Sequence, residues 1–198
     1  MKISFRNDYG VLAHPRMLKA LSNCMDETNL PYGLDIHSDN AKKLIKERFE
    51  LENTNIHFVT GGTQANLLVI SSFLKDYEAV ISCDSGHINV HETGAIESTG
   101  HKIITVKNID GKLTVEEVKK ALDYHKGEHM VKPKMLYISN STESGTIYKK
   151  DELIKLRKLC DEHDLYLFLD GARLASALTC SENDVEINML GKICDALW

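Results

Sequence analysis

The chain has 198 residues, 42% hydrophobic and 27% charged, with a formal net charge of −5. These values suit one globular domain with a substantial core, and a mildly acidic chain without a basic block carries no electrostatic footprint for nucleic acid. The opening MKISFRNDYG has no apolar signal core, no stretch reaches membrane-helix length, and Cys24, Cys83, Cys160, Cys180 and Cys194 form no CxxC pair, so a cytoplasmic protein with reduced thiols is expected.

Two helices lead. HPRMLKALSNCMDE places Met17, Leu18, Leu21 and Met25 at helical spacing behind Pro15, a residue suited to a first turn. SDNAKKLIKERFEL repeats the pattern with Leu44, Ile45 and Phe49, and Ser38 is its expected N-cap. Pro31 and Gly33 make the intervening NLPYGLDIH a loop.

Beyond Phe49, strand and helix signals alternate. NIHFVT reads as a strand, GGT as a turn and QANLLVISSFL as a helix. AVISC follows as a strand, then a helix over about 90–99, then the strand KIITV. Thr114 and Glu117 form a capping box before VEEVKKALDYH. KMLYIS is a strand, KDELIKLRKLCDEH a helix, LYLFLD a strand, VEINMLGKI a short helix, and CDALW the start of another strand. This alternation predicts an α/β fold with a mostly parallel central sheet flanked by helices, with residues 1–50 forming an N-terminal arm and helices and 51–198 the large domain.

Ligands of such sheets gather at the carboxyl ends of strands, which makes those residues the ones to read. Gly61, Gly62 and Thr63 stand between a strand and a helix, so they form either a phosphate-binding helix N-terminus or a tight turn. Neither GK[ST] nor GxGxxG is present, which argues against a nucleotide P-loop and a dinucleotide fold. His87, His91 and Glu92 have helix-compatible spacing but lack the HExxH pattern and a third obvious ligand, so no metal is expected. His87 either faces a ligand with its ring or caps a helix. Asn140 ends a strand in a Ser/Thr/Gly turn and serves a ligand or the turn itself. Asp170 ends the buried LYLFLD, and a buried carboxylate needs a partner. Arg173 is either that partner, or Asp170 meets a cationic ligand ring while Arg173 grips a carboxylate in a bidentate pair.

GGTQAN, GHINVHETGA and LFLDGARLASAL, in this order, with FRNDYG and HPRMLKAL ahead of them, closely resemble the low-specificity L-threonine aldolase family. That family belongs to the aldolase/β-eliminating lyase group of pyridoxal phosphate enzymes with the aspartate-aminotransferase type of fold. The resemblance spans nearly the whole chain. It implies a carbon–carbon lyase cleaving L-threonine or a related β-hydroxy amino acid to glycine and an aldehyde, with β-elimination as the alternative reaction. By position, Gly61, Gly62 and Thr63 would hold the cofactor phosphate, His87 would stack on the pyridine ring, and Asp170 would pair with the ring nitrogen. Arg173 would bind the substrate carboxylate, with Asn7 and Arg6 as further contacts; the family usually has serine where Asn7 stands. His87 or a bound water would be the base. The resemblance also implies a homo-oligomer, dimer or tetramer.

The family's Schiff-base lysine follows the strand after the DGAR region, and no lysine here occupies that place; Lys192 precedes the strand. The chain therefore reads as the N-terminal part of such a protein, expected to bind pyridoxal phosphate without a covalent link and to be inactive alone. It is also expected to expose apolar surface and an open sheet edge near Leu197, or to act as a noncatalytic oligomerising fragment.

Overall fold

The computed structural model describes residues 7–10, 12–51 and 53–198. The chain divides into two compact units, Met1–Asn40 and Ala41–Trp198.

In the first unit, helix α1 (Pro15–Asn23) opens on Pro15, and His14 Nδ1 accepts from the Arg16 amide at 3.2 Å. No residue of α1 is buried, and its apolar stripe, including Met17 and Leu21, stands exposed, as does Met25 beyond its end. Helix α2 (Ile36–Phe49) begins two residues before the expected Ser38 cap. Asp35 takes that role: its Oδ1 accepts from the Ser38 amide at 2.8 Å and its Oδ2 from the Ser38 hydroxyl at 2.6 Å. A charged carboxylate satisfies the free amides and complements the helix dipole better than a hydroxyl does.

The second unit continues with α3 (Gly62–Phe73), β1 (Glu78–Cys83), α4 (His87–Val90), a 3-10 turn (Glu97–Thr99), β2 (Ile103–Val106) and α5 (Val115–Tyr124). There follow β3 (Lys132–Ser139), α6 (Lys150–His163), β4 (Tyr166–Asp170), α7 (Leu174–Thr179), α8 (Ile187–Ile193) and β5 (Ala196–Leu197). The five strands are all parallel in the order β2-β1-β3-β4-β5. The chain moves outward from β1 to β2 and then returns to β3 on the other side. The carboxyl ends of β1 and β3 therefore flank a topological switch point, where open α/β sheets leave a crevice.

Each strand feeds two cores because side chains alternate across the sheet. Ala79, Ile81, Leu136, Ile138, Leu167 and Leu169 pack on one face with Leu153, Leu156 and Leu159 of α6. Val80, Met135, Tyr137 and Phe168 pack on the other with Ile70 of α3 and Ile88 of α4. Both faces are covered, which explains why the strands read as continuous apolar runs. Thr114 caps α5 as expected, accepting from the Glu117 amide at 3.4 Å.

Besides the Ser38 cap, two local expectations differ from the structure, and one helix is new. NIHFVT forms no strand; among the described residues it pairs with no neighbour, and Phe58 is 52% exposed. Apolar residues of high β-propensity make a strand only where a ladder partner exists. The helix expected over about 90–99 is instead the single turn α4, a tight turn and a 3-10 turn. Thr93 (φ 52°) and Gly94 (φ 73°) both adopt left-handed backbone, which no α-helix accommodates. Helix α7, over LASALT, was not anticipated, because the strand-end motif DGAR runs directly into it.

Candidate active site

β4 delivers Asp170 to the carboxyl edge of the sheet on the face shared with α3. The register sets this: Tyr137 lies opposite Phe168, and Asp170 is two residues further along the same face. The Tyr137 ring meets Phe168 edge-on at 5.6 Å and its hydroxyl donates to Asp170 Oδ2 at 2.5 Å. Asn66 Nδ2 donates to the same oxygen at 3.3 Å, and the Ala172 amide donates to Oδ1 at 3.0 Å. Asp170 is buried and, among the described residues, forms no ion pair. Three neutral donors hold its charge. Burial and the Asp170 charge beside it push the Tyr137 hydroxyl well above the usual phenol range, so Tyr137 stays a donor.

Arg173 does not close on Asp170. Its Nη1 lies 3.6 Å from Glu143 Oε1, on the loop after β3. The internal Asp170–Arg173 pair, one of the two readings of the sequence, is therefore replaced by two separate sites.

His87 is the first residue of α4, behind Gly86 at the N-cap. Its Nδ1 lies 2.8 Å from Glu92 Oε1. His91 ends α4, and Glu92 directly follows it; Thr93 and Gly94 then form the left-handed corner of a turn closed by Ala95 N–H to Glu92 C=O at 3.0 Å. The hydrogen bond to the Glu92 carboxylate is the main reason the His87 pKa rises, against the opposing effect of partial burial; the charges of Glu92, Glu143 and Asp170 add to the rise. The His91 ring stands 5.4 Å from that of His87. The described residues that gather as potential metal ligands are instead Cys24, Glu27 and His37 of the first unit.

The turn before α3 has two different glycines. Gly61 is extended, exposed and has open space where a Cβ would point. A Cβ on Gly62 would lie 2.3 Å from the Trp198 ring, so Gly62 is required by packing. Thr63 is exposed in the first turn of α3. Gly171 is likewise required by a close approach, since a Cβ there would meet the Trp198 carbonyl at 2.2 Å. Asn140 serves its own turn through Oδ1, which accepts from the Tyr148 amide at 3.3 Å, while its Nδ2 is buried without a partner among the described residues. Asn7 belongs to the first unit, where it is exposed, and Arg6 lies outside the described residues.

His87 and Asp170 thus belong to one hydrogen-bonded group, joined through Glu92 and Asn66. Sequence reading missed Asn66, Tyr137, Glu143 and Trp198 as members of this region. Asn66 carries the clearest signal: it stands one helical turn after Gly62, hence on the same face.

A family model described as beta-eliminating lyase matches residues 5–198. A low-specificity L-threonine aldolase of Pseudomonas sp. is 34% identical over 148 residues, covering 74% of this chain and 42% of that protein. Its counterpart in Pseudomonas aeruginosa is 32% identical over 155 residues, covering 76% of this chain and 44% of that protein. The solved structure of a Leishmania major threonine aldolase superposes with a TM-score of 0.94 at 48% identity, covering 96% of this chain and 55% of that one. The chain spans about half the length of the relatives it matches. Its fold, its motifs and the match over nearly its whole length agree that this chain belongs to the beta-eliminating lyase family.

Proposed function

We propose that the protein carrying this chain is a pyridoxal phosphate-dependent carbon–carbon lyase that cleaves L-threonine or a related β-hydroxy amino acid to glycine and an aldehyde. The observation that carries this reading is Asp170, a buried carboxylate held by neutral donors and without a cationic partner among the described residues. Such a group complements a cationic ring nitrogen, because an opposite charge offsets the cost of its burial. The other residues fit the same cofactor. The amides at the start of α3, beside exposed Gly61 and Thr63 and packed Gly62, offer an anion the positive end of a helix dipole.

Gly61, Gly62 and Thr63 would hold the phosphate, His87 the face of the ring and Asp170 the ring nitrogen. Pyridoxal phosphate supplies an electron sink for the bond broken at the substrate α-carbon. Asp170 keeps a proton on the ring nitrogen and so strengthens that sink. Arg173 orients the amino acid by its carboxylate, which exchanges with Glu143 for the guanidinium. His87 accepts the proton of the β-hydroxyl directly or through a water.

The family's description as beta-eliminating favours a second reaction on the same groups. Incubating the whole protein with L-threonine and pyridoxal phosphate separates the two. Glycine with acetaldehyde is expected, whereas 2-oxobutanoate with ammonia would establish elimination instead. We further infer a cytoplasmic homo-oligomer, dimer or tetramer, supported by the free cysteines and by the exposed apolar stripe of α1. Among the described residues no helix is long and apolar enough to cross a membrane.

A further inference from the structure

We propose that Glu92 and Asn66 are positioning residues: Glu92 holds the proton of His87 on Nδ1, leaving Nε2 as the basic atom, and Asn66 ties that pair to Asp170. This rests on the reading that His87 and Asp170 face the cofactor.

Glu92 sits where a carboxylate is costly. Its side chain is fully buried, whereas that of His87 is 32% exposed. Only Oε1 is engaged, receiving the Asn66 amide at 2.6 Å and facing His87 Nδ1 at 2.8 Å; Oε2 is buried without a donor among the described residues. An amide or an apolar side chain would fill this space at lower cost if packing were its only role. A carboxylate accepts and does not donate when ionised, so it selects the His87 form that carries hydrogen on Nδ1. Neutral imidazole then has one lone pair left, on Nε2.

The orientation of Asn66 follows from its other neighbour. The Trp198 indole N–H, a donor only, contacts Asn66 Oδ1 at 2.8 Å. The amide oxygen is thereby identified, and Nδ2 must face the two carboxylates, Glu92 at 2.6 Å and Asp170 at 3.3 Å. Asn66 is itself fully buried, so both bonds lie in a low-dielectric region where they are strong. Neutral Tyr137 completes the shell of Asp170. The charged and titratable groups around His87 are therefore Glu92, Asp170 and Glu143, with Arg173 on Glu143 and the His91 ring alongside. A change in the proton on His87 is felt at Asp170 through one amide. The proton acceptor and the carboxylate that tunes the ring are thus set together.

Nitrogen-15 NMR of the histidine rings tests this on the chain without cofactor. Above its pKa, His87 in the unmodified chain is expected to carry its proton on Nδ1, the minor tautomer of free histidine. An Nε2–H tautomer would overturn the assignment without any variant being made. Glu92→Gln is expected to weaken proton binding by His87 about tenfold, and Glu92→Asp to restore part of it. Loss of stability in Glu92→Gln with an unchanged His87 pKa would reduce Glu92 to a structural tie. In Asp170→Asn the His87 pKa is expected to fall, and adding Asn66→Leu should shrink that response; an equal response would remove Asn66 from the proposal. Pyridoxal phosphate titrations distinguish failure of the underlying reading. If Asp170→Asn leaves cofactor binding unchanged while the NMR results hold, the cofactor assignment fails and the proton arrangement stands.

Discussion

Asp170 derives its place from a period-2 argument that is visible in the chain and its partners from packing that is not. The buried run LYLFLD ends on it, which identifies a strand-end carboxylate. That Tyr137 and Asn66 satisfy it depends on the β3–β4 register and on where α3 lies. Replacing Asp170 by Asn keeps the shape and removes the charge that would face a ring nitrogen. A charge-assisted hydrogen bond is worth about 1.5–3 kcal/mol, so cofactor affinity is expected to fall about tenfold or more. Trp198, the single tryptophan of the chain, touches Gly62 and Asn66 and reports the binding through its fluorescence. An equal affinity would remove Asp170 from the cofactor site. Gly62→Ala drives a methyl group into the Trp198 ring. Overpacking of this kind typically costs about 1–3 kcal/mol, measurable as a lower urea midpoint.

At the scale of elements, α6 and the turn after α4 illustrate the two outcomes of sequence reading. The predicted α6 coincides with the observed Lys150–His163, because Leu153, Leu156 and Leu159 form a single stripe and all three are buried. Leu156→Ala should therefore cost about 2–5 kcal/mol in urea unfolding. The turn at Thr93 and Gly94 was hidden within a helical signal, since a histidine and a glutamate four or five residues apart suit either conformation. The His87–Glu92 pair precedes this turn and has a pH signature. The His87 pKa is raised in the folded chain by the Glu92 hydrogen bond. Its contribution to stability is thus fully present below the unfolded value of about 6.5 and is lost as pH rises through the folded value. The stability difference between the unmodified chain and Glu92→Gln should shrink as pH rises above about 6.5 and through the raised folded value in urea titrations. A difference that stays constant would mean that the pair does not titrate.

For the molecule as a whole, the exposed apolar residues carry the expectation. Helix α1 has no buried residue: Met17, Leu18 and Leu21 are 60%, 48% and 68% exposed, and Met25 just beyond it is 80% exposed. A continuous apolar stripe in water favours burial against another surface. Sedimentation of the unmodified chain should show self-association that Leu21→Glu weakens; a monomer in both cases would sink the oligomer reading. At the other end, β5 pairs with β4 over only two residues. The match to about half of each relative's length sets the scale at which activity is to be measured, the whole protein.

Fold class, five of the six expected strands, and the residue types at their ends were determined by the sequence alone, because apolar periodicity and turn chemistry act over neighbouring residues. The family motifs likewise single out Gly61, Gly62, Thr63, His87, Asp170 and Arg173 as candidates. Tertiary structure decided what those residues touch. Asp170 faces a phenol and an amide, Arg173 faces Glu143, and Gly62 makes room for Trp198. Those contacts join residues up to 136 positions apart, as between Gly62 and Trp198. Only the packing of α3 and the return of β5 to the same sheet bring such distant residues within reach, and local patterns carry no record of that closure.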